Sequence, residues 1–228
     1  MFGASQSQAF TFDHVGELVD ESIMDAYLID RGMPTEALET LTYHAKYEIY
    51  STLDHDTVFE GFEDRKVFLE NPEETNLFSI PKSQLSFTVS GWKNSDGTYS
   101  IYPSFYWHTQ NRIQNDSFGF ALNSKYWDAV SGATLNVILR NSFGGSTNHF
   151  YDRRTGGSFA GHYFRMSNLT NSSLPGLEGH GHFRARPVGS RIDRKISIGY
   201  ADDPGRSPLS YSISIGGFPL ILTLENLV

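Results

Sequence analysis

The chain has 228 residues, 39% of them hydrophobic and 19% charged, with a net charge of −8 at pH 7. That length allows one well-buried core or two small ones, and that balance excludes a disordered chain. The absence of cysteine excludes disulfides, thiolate metal sites and a cysteine nucleophile.

The charge is divided along the chain. Residues 1–80 carry 17 acids and 4 bases, and residues 81–228 carry 9 acids and 14 bases, mostly arginine. Blocks of opposite sign attract within a chain or between copies, so a homo-oligomer joined through acidic and basic surfaces is one expectation. The bases are not dense enough for a nucleic-acid footprint, so no nucleic-acid partner is expected. No window approaches 18 uninterrupted apolar residues, so no transmembrane segment is predicted. Residues 1–8 lack the basic start and apolar run of a leader peptide. The adopted expectation is a secreted protein whose leader has been removed, with a cytoplasmic protein as the alternative.

The first predicted element is an amphipathic helix over residues 14–32. Val15, Leu18, Val19, Ile23, Tyr27 and Leu28 recur at spacings of three and four, Asp13 is a cap candidate, and Gly32 and Pro34 end the run. Residues 34–38 add at most a turn. Leu41, Tyr43, Ala45, Tyr47 and Ile49 alternate with polar neighbours, which predicts a strand. Short strands follow at 58–62 and 66–69, with a loop at 71–74.

Residues 84–108 carry the clearest pattern. Leu85, Phe87 and Val89 alternate with Ser86, Thr88 and Ser90, then Asn94-Ser95-Asp96-Gly97 turns the chain, and alternation resumes from Tyr99 to His108. This predicts a β-hairpin. Further strands are expected at 118–122, 133–140, 158–166, 180–188, 195–200, 209–215 and 220–224. The polar runs 141–157 and 168–179 read as loops. The set amounts to about eleven strands in an antiparallel β-sandwich or barrel-like fold. Residues 1–40 are then an N-terminal helical segment and residues 41–228 a single β-rich domain. The layout, an amphipathic helix ahead of an aromatic β-sandwich, is similar in outline to actinoporins. No lipid-binding motif of that family is present, and no residue role is carried over.

Two strand faces are candidate sites. If Phe87, Val89, Ile101, Phe105 and Trp107 face the core, the opposite parity presents Trp92, Tyr102, Tyr106 and His108 among serines and threonines. Aromatic rings stack on the apolar side of a sugar while hydroxyls bond its oxygens. The second face belongs to residues 178–186. Glu178, His180, His182, Arg184 and Arg186 share one side of a strand. Guanidinium forks there suit an anion, and a histidine can move a proton. The two arginines repel a cation, so no metal is expected, and no cofactor motif such as a P-loop occurs. Asp152-Arg153-Arg154 in a Gly-rich run reads as a surface ion-pair cluster.

Three functional readings follow. The first is a secreted binding protein for a carbohydrate or an anionic cell-surface polymer, using Trp92, Tyr102, Tyr106 and His108 with Arg184 and Arg186 in support. The second is an enzyme acting on an anionic substrate, with His180, His182 and Glu178 as catalytic candidates. The third is a toxin-like, membrane-active β protein whose N-terminal helix leaves the body.

Overall fold

The computed structural model describes residues 19–66, 85–108, 112–113, 117–140, 146–153, 161–166, 169–170, 177–189, 195–201 and 209–214. The chain is mainly β, and its sheets are antiparallel. Three helices come first among the described residues: α1 (Glu21–Asp30), α2 (Thr35–Leu38) and α3 (Tyr43–Thr52). Asp20 caps α1 by accepting from the Ser22 amide at 2.9 Å. Met24 and Leu28 are the buried side of α1. Residues 14–18 of the predicted helix lie outside the described residues.

The strand predicted at 41–50 is a helix instead. Leu41, Ala45 and Ile49 are spaced by four, and a spacing of four satisfies both a period of two and a helical face. The cap decides between them. The Thr42 side chain accepts from the Ala45 amide at 3.2 Å and starts the turn. Lys46, almost wholly buried, then reaches Glu21 at 2.7 Å and Asp25 at 2.8 Å, which fastens α3 to α1.

The strands follow: β1 (Val58–Lys66), β2 (Leu85–Lys93), β3 (Tyr99–Trp107), β4 (Arg112–Ile113), β5 (Ser117–Leu122), β6 (Trp127–Ala129), β7 (Ala133–Arg140), β8 (Ser146–Arg153), β9 (Gly161–Arg165), β10 (Leu169–Thr170), β11 (Leu177–Pro187), β12 (Lys195–Ala201) and β13 (Leu209–Ser214). The expected count of about eleven is corrected. About eight of the thirteen described strands are substantial. Short pairings make up the rest, such as the two-residue β4 and β10.

The expected strands at 58–62 and 66–69 join into β1 as far as Lys66, with a register shift between Phe59 and Gly61. Residues 67–84, including the expected loop at 71–74, and the strand expected at 220–224 lie outside the described residues. β8 occupies part of the run expected to be a loop. It falls within the Gly-, Ser- and Asn-rich run 141–157, yet it is registered on β7 through the backbone.

The larger sheet has the order β1-β2-β3-β11-β7-β8, with β6 also paired to β11. A second sheet has the order β13-β12-β5-β9. One aromatic core joins the two. Phe105 meets Phe118 at a ring separation of 4.9 Å, and Phe183 stacks on Phe120 at 4.9 Å. Phe87, Leu135, Ile196, Ile198 and Tyr200 belong to the same core. Gly179 is required here, because a Cβ at that position would lie 2.1 Å from the Phe105 ring.

The predicted hairpin is β2-β3, paired from Leu85↔Trp107 to Lys93↔Tyr99. Its turn is closed by Asn94 and Thr98, and Gly97 takes the positive φ of +78° that the turn needs. The core face of the hairpin is as predicted. Phe87, Val89, Ile101, Phe105 and Trp107 are all buried in the shared core. The opposite face meets the helices. Leu28, Met33, Leu38, Ala45, Ile49 and Leu53 form a second apolar cluster with Trp92 and Tyr102.

Candidate functional site

Register builds the site. On the helix side of the larger sheet, cross-strand pairing places Asp64, Thr88, Ser104, His180 and Asn136 in one row over β1, β2, β3, β11 and β7. Neighbouring strands lie about 4.8 Å apart, so adjacent members of such a row are in reach of each other. Ser86, Tyr106 and Glu178 form the next row. Alternation alone groups the hairpin residues and, separately, Glu178 with His180; the strand order joins these groups to each other and to Asp64 and Asn136.

The segment 39–45 crosses above these rows and leaves a cleft of about 400 Å³. Ser86, Thr88 and Ser104 line it from the sheet, with Tyr106, His108 and His180 beside them. Glu39, Thr40, Leu41, Thr42 and Ala45 line it from above, and Asp64 lines it from β1. The Thr88 and Ser104 hydroxyls bond each other. Ser86 Oγ meets His108 Nε2 at 2.6 Å, and the His108 ring stands edge-on to Tyr106 at 4.7 Å. Tyr106 is half-buried and His108 exposed, so one aromatic wall of the cleft is open to solvent. A second, much smaller cavity of about 10 Å³ shares Leu41, Ala45, Ser104 and His180 with the cleft.

Beside the cleft lies a cluster of three side chains, Glu178 and His180 buried and His44 part-buried. Glu178 is fully buried. His180 Nε2 lies 3.0 Å from Glu178 Oε2, and His44 Nδ1 of α3 lies 2.7 Å from Oε1. Burial works to raise the Glu178 carboxyl, but the hydrogen bonds from His180 and His44 outweigh it and hold the group well below the usual carboxylate range. The two histidine rings face each other at 6.4 Å. A further link joins helix and sheet: Asn136 Nδ2 donates to Glu48 Oε2 at 2.7 Å. Burial pushes the Glu48 carboxyl up, against the opposing effects of that bond and of His180.

The sequence-derived sites divide accordingly. Trp92 and Tyr102 do not form an open platform. Trp92 is wholly buried and Tyr102 nearly so, because the helices pack on that part of the face. Trp92 Nε1 donates to Ser90 Oγ at 3.0 Å, and the Tyr102 hydroxyl lies 3.0 Å from Thr52 Oγ1. Tyr106 and His108 alone of the four reach the cleft. On β11, Glu178 and His180 meet, but the other three side chains do not join them. His182 stacks on Tyr102 at 4.6 Å, and burial first, then the Arg184 charge, lowers its imidazole to about 4.

Arg184 pairs with Asp96 at 3.2 Å and Asp54 at 3.5 Å, and Arg186 is exposed beyond it. One strand face is long: positions 178 and 186 are separated by about 26 Å of extended chain. The expected convergence of Glu178, His180, His182, Arg184 and Arg186 in one anion pocket therefore fails. Sequence reading missed His44 and Asp64, and it placed Thr88 and Ser104 beside the aromatic residues of the hairpin face but not near His180, which the topology alone does. Among the described residues, no group of His, Asp or Glu is arranged to hold a metal ion, and no helix is long and apolar enough to cross a membrane.

No family model matches the chain, and no curated protein matches it. Solved structures similar to it include the enzymatically active domain of tailspike protein 4 of bacteriophage CBA120. That match has 8% identity and a TM-score of 0.26, covering 63% of this chain and 18% of that one. Another is TmCBM61 in complex with β-1,4-galactotriose, with 8% identity and a TM-score of 0.26, covering 57% of this chain and 81% of that one. The chain thus spans less than a fifth of the tailspike chain. Likeness of this degree carries no argument about the site.

Proposed function

We propose that this chain is a carbohydrate-binding protein on a β-sandwich-type body, and that its ligand seats in the cleft between residues 39–45 and the open end of the hairpin face. The observation that carries the reading is the lining of that cleft. Ser86, Thr88 and Ser104 supply hydroxyls, and Tyr106 supplies a ring beside them. A pyranose has the matching character, with an apolar C–H face and a rim of hydroxyls. The volume of about 400 Å³ lies in the range of small-molecule sites.

Charge selects between the two ligand classes expected from the sequence. Glu39 and Asp64 line the cleft, while Arg184 is engaged with Asp54 and Asp96 away from it. Two acids beside the ligand repel an anion. The reading is therefore a neutral saccharide and not an anionic polymer.

The test is retention of the full chain on an array of neutral and acidic glycans, repeated with Tyr106→Ala. A stacked aromatic contributes on the order of 1 kcal/mol beyond the area it buries, so retention on a neutral glycan should fall about tenfold or more in the variant. Equal retention by both proteins removes the cleft from the account.

A further inference from the structure

The inner wall of the cleft carries a buried histidine, one of whose ring nitrogens is committed to a neighbouring carboxylate. The Glu178 carboxylate can only accept hydrogen bonds. His180 Nε2, 3.0 Å from Oε2, and His44 Nδ1, 2.7 Å from Oε1, are therefore both N–H donors. A neutral imidazole with one nitrogen donating leaves the other as a bare acceptor. In the neutral form of His180 that atom is Nδ1. It is buried and has no hydrogen-bond partner among the described residues. The ring is itself only 3% exposed, and it lines both the cleft and the smaller cavity. Its cross-strand neighbour Ser104 is engaged with Thr88, and Leu41 and Ala45 close the space with apolar surface. A buried acceptor without a donor is costly, and a ligand that brings the donor recovers that cost.

We infer that His180 Nδ1 is the atom through which the cleft reads its ligand, accepting a hydrogen bond from one hydroxyl of a neutral saccharide. Glu178 and His44 are positioning residues that hold the ring in the required tautomer. The inference rests on the carbohydrate reading and sharpens it. A sugar lacking that hydroxyl leaves Nδ1 unpaired, and a carboxylate in its place sets an acceptor against an acceptor. The site therefore selects against a deoxy sugar and against a uronic acid at that position.

The experiment is NMR of the full chain labelled with ¹⁵N-histidine and ¹³C-tyrosine at neutral pH, which reads the His180 ring nitrogens and the Tyr106 ring together. The probes are the methyl glycosides of D-glucose, D-galactose and D-mannose, with their monodeoxy analogues. Resonances are assigned through bonds in the wild-type protein, so the outcomes that decide the inference need no variant. The expected spectrum has His180 protonated at Nε2 and bare at Nδ1. Nδ1 should shift with a glycoside that also perturbs Tyr106, and should stay in place with one of its deoxy analogues. In Glu178→Gln, whose carboxamide donates as well as accepts, the tautomer preference should be lost. A proton on Nδ1 in the free protein overturns the inference. Perturbation of Tyr106 with Nδ1 unmoved overturns it too, while leaving the cleft as a sugar site. No perturbation of Tyr106 by any glycoside overturns both.

Discussion

The two ends of one strand face make the instructive comparison. At one end of the hairpin, Trp92, Ser100 and Tyr102 lie beneath the helices and are closed to solvent. At the other, Ser86, Thr88 and Tyr106 carry the same residue types on the same parity, yet line an open cleft. Pairing and pleat are continuous between them. The difference lies in the cover. α3 runs over the first end, and the segment 39–45 only bridges the second. Alternation in a strand states which side chains share a face. It does not state what packs on that face, and the cover decides whether an aromatic side chain is core or site.

Substitutions at the two ends should separate these roles. Trp92→Ala should produce the largest effect, a loss of about 3–5 kcal/mol in denaturant unfolding, because it empties a fully buried site between helix and sheet. A small loss there would mean that the helices do not rest on Trp92. Acid should act next, through His182. Its imidazole lies at about 4 in the folded chain against an ordinary 6.5. Between those values the unfolded chain binds a proton that the folded chain refuses. Stability therefore falls as pH drops through that window and stops falling from this source below about 4. The slope is at most about 1.4 kcal/mol per pH unit. Urea midpoints of the wild type and His182→Phe across that range check it, and the variant should lose this part of the slope.

Glu178 adds an acid-side loss of its own. Its folded value is depressed, so its contribution is present above the ordinary carboxylate value and disappears as pH falls below it. Gly179→Ala should follow at about 1–3 kcal/mol, since the new methyl group collides with the buried Phe105 ring. Tyr106→Ala should come last in stability, at under about 1 kcal/mol for a half-buried side chain, yet it is the change expected to cut sugar retention about tenfold or more. A Tyr106 variant that unfolds as readily as Trp92→Ala would erase the contrast between the two ends.

Much of the fold was legible because backbone period leaves a mark on local sequence. The hairpin, its turn, the buried parity of Phe87 and Phe105 and the strand at 133–140 all follow from alternation and turn chemistry. The helix at Tyr43–Thr52 was misread because its apolar residues fit two periods at once, and the cap at Thr42 was not weighed. The strand at Ser146–Arg153 was misread because its polar composition looks like a loop while its backbone pairs with β7. The site was legible only in pieces. Tyr106, His108, Glu178 and His180 were singled out from their own strands. Thr88 and Ser104 belong to the hairpin face of Tyr106, while Asp64 and His44 come from β1 and α3, and strand order and helix docking bring them together. The arginines were over-weighted, because Arg184 shares a face with His180 but pairs with Asp54 and Asp96.

The most direct measurement is a crystal structure of the full chain grown with a neutral oligosaccharide that the glycan array retains. The account predicts a sugar ring against Tyr106, with its hydroxyls on Ser86, Thr88 and Ser104 beneath the segment 39–45. A sugar seated on any other surface, or a chain that no neutral glycan retains, would contradict it.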